Sequence, residues 1–304
     1  MRQRLVGFLL GALMATLPAA AQPGGHLLSA SGLTRVSDHV WMIKGFPNIA
    51  IVVGATGTLV VDDGLGTKNG QIIAAVAQQL SNKGQKLYLT TTHYHAEHAT
   101  GDGGFPASVT LLRPRVQQDE LIAEGQKLID VFAGRSAEDK DLLQGLQYHK
   151  PDILFDSDYR LDLGGVTVRL AWFGAAHTRG DMLTLVEPDS VLISGDVVQN
   201  KAGPYLYCAT CTVRGWLAVL DQIAALKPKI VIPDHSPLGD GSLIAQEREM
   251  LAFVQSRTLA LKAEGKSADE AGKILAAEFP ARYPGWTNLT HLAETAPRIY
   301  ADTP

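Results

Sequence analysis

The segment Thr90-Thr91-Thr92-His93-Tyr94-His95-Ala96-Glu97-His98 puts three histidines and a carboxylate within six residues. Such a set can hold a metal ion. Neutral imidazoles suit zinc, and a carboxylate beside them suits a second metal or a hydrogen bond behind a ligand. Side chains two apart diverge on a regular helix, so His93 and His95 converge on one ion only from an extended or turning backbone. The HxHxEH pattern therefore reads as the loop after a strand, not as a helical HExxH site. Comparable groups stand further on: His177 after the strand-like Val166 to Trp172, Asp196 at the end of Val191-Leu192-Ile193-Ser194-Gly195-Asp196, and His235 after Ile230-Val231-Ile232-Pro233-Asp234. Each follows a largely apolar run, where sheets gather their ligands.

These groups need strands to carry them. Val40 to Ile43, Ala50 to Val53 and Thr58 to Val61 read as short strands with Gly and Pro turn signals between them, hence antiparallel neighbours. Thr67 to Leu80 has apolar positions at helical spacing and Leu87 to Thr90 is a strand, a β-α-β pattern. Pro114 to Phe132 and Ser136 to Leu146 are expected as surface helices. Tyr159 to Leu163 and Val166 to Ala171 flank a Gly-Gly turn, and Met182 to Val186 pairs with Val191 to Ser194 around Pro188-Asp189. Val213 to Leu226 is an amphipathic helix, Ile230 to Pro233 a strand, and the chain from Ser242 on is helical with breaks at Gly265 and Pro280 to Pro284. Two β-rich halves, each covered by helices, predict a four-layer αββα sandwich of the α/β (α+β) class. The expected organisation is a mature N-terminal segment at 22–34, the sandwich at 35–240 and a helical C-terminal extension at 241–304.

The 304 residues are 46% hydrophobic and 19% charged, with a net charge of -4, which excludes a disordered chain and argues against a nucleic-acid partner. The partner expected is a small-molecule substrate. Residues 1–21 carry Arg2 and Arg4, an apolar run from Leu5 to Leu17 and the small-residue end Ala19-Ala20-Ala21, the layout of a cleaved signal peptide. The run of 13 residues is short of the roughly 20 that span a bilayer. A periplasmic or secreted protein with no membrane span in the mature chain is expected. The two cysteines, Cys208 and Cys211, form no disulfide framework. They read either as a local disulfide near the site or as two free thiols. Lys201, Tyr205 and Tyr207, in the loop after Asp196, are candidates for lining a substrate cleft.

The order of these motifs resembles the metallo-β-lactamase fold superfamily, whose signature is an HxHxDH loop, a histidine before T-x-G-D/S, an aspartate after Gly and a last histidine after Pro-Gly. Here these positions are His93, His95, Glu97 and His98, then His177, Asp196 and His235, while Asp62 in Val60-Val61-Asp62-Asp63-Gly64 matches an early strand-end D-x-G. The resemblance implies two zinc ions per chain: His93, His95 and His177 on the first, Glu97, His98 and His235 on the second, Asp196 bridging, and Asp62 orienting a ligand histidine. It also implies hydrolysis, with a water shared by the metals attacking a small-molecule carbonyl in a cyclic amide, lactone, ester or thioester, and Glu97 and Asp196 as the acidic catalytic residues. Two departures stand out. Glu97 is one methylene longer than the usual Asp, which points to an altered second site, and Asp234 precedes His235 where glycine is common. A periplasmic metal- or ligand-binding accessory protein with a degenerate site is the alternative that Glu97 keeps open.

Overall fold

Apolar residues on both faces of most strands dictate that each sheet is covered twice. The computed structural model describes residues 25–302, so the expected signal peptide at 1–21 lies outside the described residues. The first sheet runs β1 (Leu33–Arg35), β2 (Val40–Ile43), β3 (Ile49–Val53), β4 (Gly57–Val61), β5 (Lys86–Thr90), β6 (Thr110–Pro114), β7 (Ile153–Phe155), in that order. β1 to β4 are antiparallel, and β4 to β7 are parallel. The second sheet contains β8 (Asp158–Asp162), β9 (Thr167–Trp172), β10 (Met182–Val186), β11 (Val191–Gly195) and β12 (Ile230–Pro233), ordered β12-β11-β10-β9-β8. The helices are α1 (Gly66–Leu80), α2 (Ala96–Ala99), α3 (Arg115–Ala133), α4 (Ala137–Leu142), α5 (Val213–Ala224), α6 (Ser242–Ala263), α7 (Ala268–Arg282) and α8 (Thr290–Asp302).

Alternation along the strands sorts side chains into three apolar layers. Ile49, Ile51, Val60 and Leu89 face α1, where Ile73, Val76 and Ala77 meet them. Their neighbours Ala50, Val52, Leu59 and Val61 point between the sheets, against Val168, Leu170, Met182, Val191, Ile193 and Ile232. Leu183, Leu192 and Val231 emerge on the far face under α5 to α8, among Trp216, Leu251, Val254, Leu275 and Phe279. This is the expected αββα sandwich. Each Val, Leu, Ile, Met or Phe side chain fully buried in these layers contributes about 1.5–3 kcal/mol.

Several elements depart from expectation. β1, β6 and β7 have three to five residues and too little alternation to announce themselves. α4 stops at Leu142, and the chain then turns through Gly145 at a φ of 63°. α3 is not a plain surface helix: its inner side buries Gln117, Glu120, Leu128 and Phe132. In the tail, Ser267 and Glu270 form a reciprocal capping box that starts α7, and the tail helices share one apolar cluster with α5 and the second sheet. Phe279→Ala should therefore cost about 3–5 kcal/mol. Urea unfolding followed by circular dichroism and tryptophan fluorescence should give one coincident transition, whereas separate transitions would show the tail to be an independent unit.

Candidate metal centre

Strand direction brings the candidate groups together. β9 and β11 both run antiparallel to β10, and β12 is parallel to β11, so all three end at the same edge. β4 and β5 are likewise parallel. Asp62 follows β4, His93 to His98 follow β5, His177 follows β9, Asp196 follows β11, and Asp234 and His235 follow β12. The two sheets are tied at this edge, where the Met182 amide donates to the Thr92 carbonyl at 2.7 Å and the Asn48 amide to the Asp234 carbonyl at 2.7 Å. His93 and His95 lie in the turning segment after β5 as the spacing predicts, while Glu97 and His98 sit on the single-turn α2.

Two of the imidazoles are oriented from behind. His177 Nδ1–H donates to the Tyr205 carbonyl at 2.5 Å, which leaves Nε2 as the acceptor. His98 Nδ1–H donates to Asp62 Oδ2 at 3.0 Å, and Asp62 Oδ1 accepts from the Thr92 amide at 2.6 Å. Asp62 thus occupies the orienting place expected of it, at a φ of 71° that aspartate tolerates better than most residues. Asp234 is completely buried, with Oδ2 3.1 Å from the Thr92 hydroxyl and 3.4 Å from His98 Nδ1. Gly195 has a φ of 57°, and a Cβ there would press on Thr92, so only glycine lets β11 deliver Asp196 this close. The His177 turn is held by Asp181, which accepts from the Thr178 hydroxyl and from the Ala176 and Thr178 amides. Glu120 of α3 accepts from the Gly180 amide at 2.7 Å and the Arg179 amide at 3.0 Å.

The inward atoms match a metal. Ligand atoms around a tetrahedral zinc at 2.0–2.1 Å stand about 3.3–3.4 Å apart. His177 Nε2 lies 3.4 Å from both His95 Nδ1 and Asp196 Oδ2. His235 Nε2 lies 3.4 Å from Asp196 Oδ1 and 3.1 Å from His98 Nε2. Glu97 Oε1 is looser, at 3.9 Å from His98 Nε2 and His235 Nε2. Three groupings emerge: His93, His95, His177 and Asp196; Glu97, His98 and His235; and His93, His98 and Asp234. The first two are those the resemblance implies, with Asp196 in contact with both. His93 Nε2 and Glu97 Oε2 are buried without a protein partner, as vacant donor positions would be.

For four of the five imidazoles, electrostatics point the same way. Burial, then the neighbouring imidazoles, hold His93, His95 and His235 well below the ordinary histidine value, and burial takes His177 down to about 4. These side chains are neutral near pH 7, the form that binds metal. Burial opposes the charged form of His98, but Asp62, Glu97 and Asp234 lift it to about 10. Burial raises Glu97, Asp234 and Asp196, the last to about 7. Crowded buried carboxylates of this kind are what a bound cation relieves.

A cavity of about 410 Å³ opens over His95, Glu97, His177, Asp196 and His235. Leu128, Val131, Phe132 and Arg135 form one wall, Tyr205 and Tyr207 another. Lys201 is exposed and does not line it. Cys208 and Cys211 form a disulfide in the loop that carries both tyrosines. Sequence reasoning missed Gln199, whose Nε2 donates to Asp196 Oδ1 at 2.8 Å while its Oε1 accepts from Ser236. It also missed Asn288 and His291, which reach the cavity from the tail. None of the three stands in a motif; only the register of the folded chain reveals them.

The family model described as "Metallo-beta-lactamase superfamily" matches residues 42–235. A metallo-beta-lactamase from Pontibacter korlensis aligns with a TM-score of 0.53 and 20% identity, covering 72% of this chain and 98% of its own. A stereoselective inverting sec-alkylsulfatase from Pseudomonas sp. aligns with a TM-score of 0.67 and 18% identity over 89% of this chain, which spans 50% of that enzyme's length. A metallo-beta-lactamase from Erythrobacter litoralis gives 0.55 and 16%, covering 72% of this chain and 95% of its own. At these identities the likeness is one of fold. No curated protein sequence matches the chain significantly. Because Asp62 orients His98, Asp62→Asn should weaken metal binding about 10–100-fold. Competition with a chromophoric chelator measures this, and wild-type affinity in the variant would remove Asp62 from the centre.

Proposed function

The chain belongs to the metallo-beta-lactamase superfamily, and from that premise we propose an exported, zinc-dependent hydrolase that opens a small-molecule carbonyl bond in a cyclic amide, lactone, ester or thioester. The observation that carries this reading is the 3.1–3.4 Å spacing of His95, His98, His177, Asp196 and His235, all but the buried His98 at the floor of an accessible cavity. His93, His95 and His177 would hold one zinc and Glu97, His98 and His235 a second, with Asp196 between them. Zinc supplies Lewis acidity there, polarising a carbonyl oxygen and lowering the pKa of a water.

The chain's own residues set the rest. Tyr205 and Asp62 fix which nitrogen of His177 and His98 faces inward. Glu97 and Asp196 bring carboxylate oxygens to the cavity floor, where they can hold a proton during attack and release. Gln199 keeps Asp196 in place from one side. Phe46, whose ring lies 4.0 Å from that of His235, and Tyr207, 4.3 Å from that of His95, flank the cluster. Hydrolases among the solved neighbours, named as β-lactamases and as an alkylsulfatase, support bond hydrolysis in a small molecule.

Purified mature protein should contain about two zinc ions per chain by elemental analysis. It should hydrolyse nitrocefin or a simple ester, lose turnover to a chelator, and fall more than ~100-fold with His95→Ala. One zinc or none, unaltered by Glu97→Asp and without turnover, would instead favour the accessory protein with a degenerate site. N-terminal sequencing of protein recovered from the periplasm or medium should begin at Gln22, and a retained Met1 would overturn export by cleavage.

A further inference from the structure

The cavity over the ligand cluster is lined by histidines and carboxylates at its floor, but by only one arginine or lysine among the described residues, Arg135. That guanidinium lies 3.5 Å from the centre of the Phe132 ring, and its side chain has no hydrogen bond or ion pair among the described residues. A flat guanidinium stacked on an aromatic face keeps its fork of donors in a fixed plane, suited to a carboxylate or sulfate. Beside it runs an apolar stripe of α3, Leu128, Val131 and Phe132, and Arg135 follows just past the C-cap Gly134. Val131 remains 46% exposed, and Phe46 across the cavity is 36% exposed. Two uncovered large apolar side chains and one unpaired cation in a single small cavity describe the missing ligand: an apolar body with a negative end.

We propose that the substrate is a small amphiphilic anion whose negative group is bound by Arg135, away from the scissile bond, while its apolar part lies against Val131 and Phe46. The inference rests on the hydrolase reading for its chemistry, though not for its binding geometry. Arg135 is a specificity residue here: it grips the remote end and so presents the reacting carbonyl to the ligand cluster.

Two nitrophenyl esters of similar length separate the possibilities, the neutral 4-nitrophenyl valerate and the anionic mono-4-nitrophenyl glutarate. In zinc-loaded wild-type protein kcat/KM should favour the anionic ester by roughly 10- to 100-fold, through KM more than kcat, the range for one charged hydrogen-bonded contact. Arg135→Ala should collapse that ratio towards one, Arg135→Lys should keep part of it, and Arg135→Glu should invert it, all with wild-type zinc content. Equal use of both esters by the wild type, or a preference that survives Arg135→Ala, would overturn the proposal. If neither ester turns over, calorimetry of hexanoate, hexyl sulfate and 1-hexanol decides the matter. Tighter binding of either anion than of the alcohol, lost in Arg135→Ala, supports the anion site and counts against the hydrolase reading alone. Binding that ignores Arg135 overturns the anion site, and the comparison of hexanoate with hexyl sulfate shows which anion the arginine takes.

Discussion

Removing five imidazoles and several carboxylates from water at one edge of a sandwich is the constraint on which the rest of this structure depends. Desolvation keeps four of the histidines neutral and pushes Glu97, Asp196 and Asp234 up. Such a cluster is costly unless a cation occupies it or every polar atom finds a partner. The chain answers partly with partners: Asp62, Thr92, His98 and Asp234 are linked behind the ligands, and Tyr205 accepts from His177. His93 Nε2 and Glu97 Oε2 are among the buried atoms that remain without a protein partner, and a bound cation would satisfy them.

The same constraint draws in the helical tail. Glu247 of α6 is fully buried, and burial holds its carboxyl well above the usual range. Its Oε2 accepts from the Gln199 amide at 3.4 Å, and the Gln199 side chain bonds Asp196 and Ser236. Arg298 of α8 donates to the Cys208 carbonyl, beside the disulfide and the two cavity tyrosines. Packing of α6 to α8 on the second sheet therefore bears on a loop that touches the centre, and the tail is linked to the chemistry as well as to the core.

Much of this was legible in the sequence, for physical reasons. The short apolar runs Ile49 to Val53 and Gly57 to Val61 have one meaning because both faces of those strands are buried, and His93-x-His95 has few uses at the end of a buried strand. β6 was missed because Arg113 and Pro114 break an already short apolar run, although Arg113 is itself buried. Asp234 could be read as exposed or as a hidden contact, since only tertiary packing decides that Thr92 and His98 cover it. Gln199 carries no signal at all: a glutamine three residues after a ligand is ordinary until the turn brings its amide to Asp196. Residues that bind leave patterns, whereas residues that brace the binders do so through distances that sequence does not record.

α3 divides labour along its length. Near its start Gln117 bonds Thr91 and Gly180, and Glu120 bonds the Arg179 and Gly180 amides, so this end is locked to both sheets at the ligand edge. About 20 Å further along, at a rise of 1.5 Å per residue, Leu128 and Phe132 still pack with Tyr94 and Ala96 of the ligand segment, whereas Val131 stands 46% exposed over the cavity. Replacing Val131 alters the shape of the cavity while leaving the packing around the ligand segment intact. One helix thus separates what must stay fixed for the centre from what is free to drift, so descendants of this chain could change diet while keeping their chemistry.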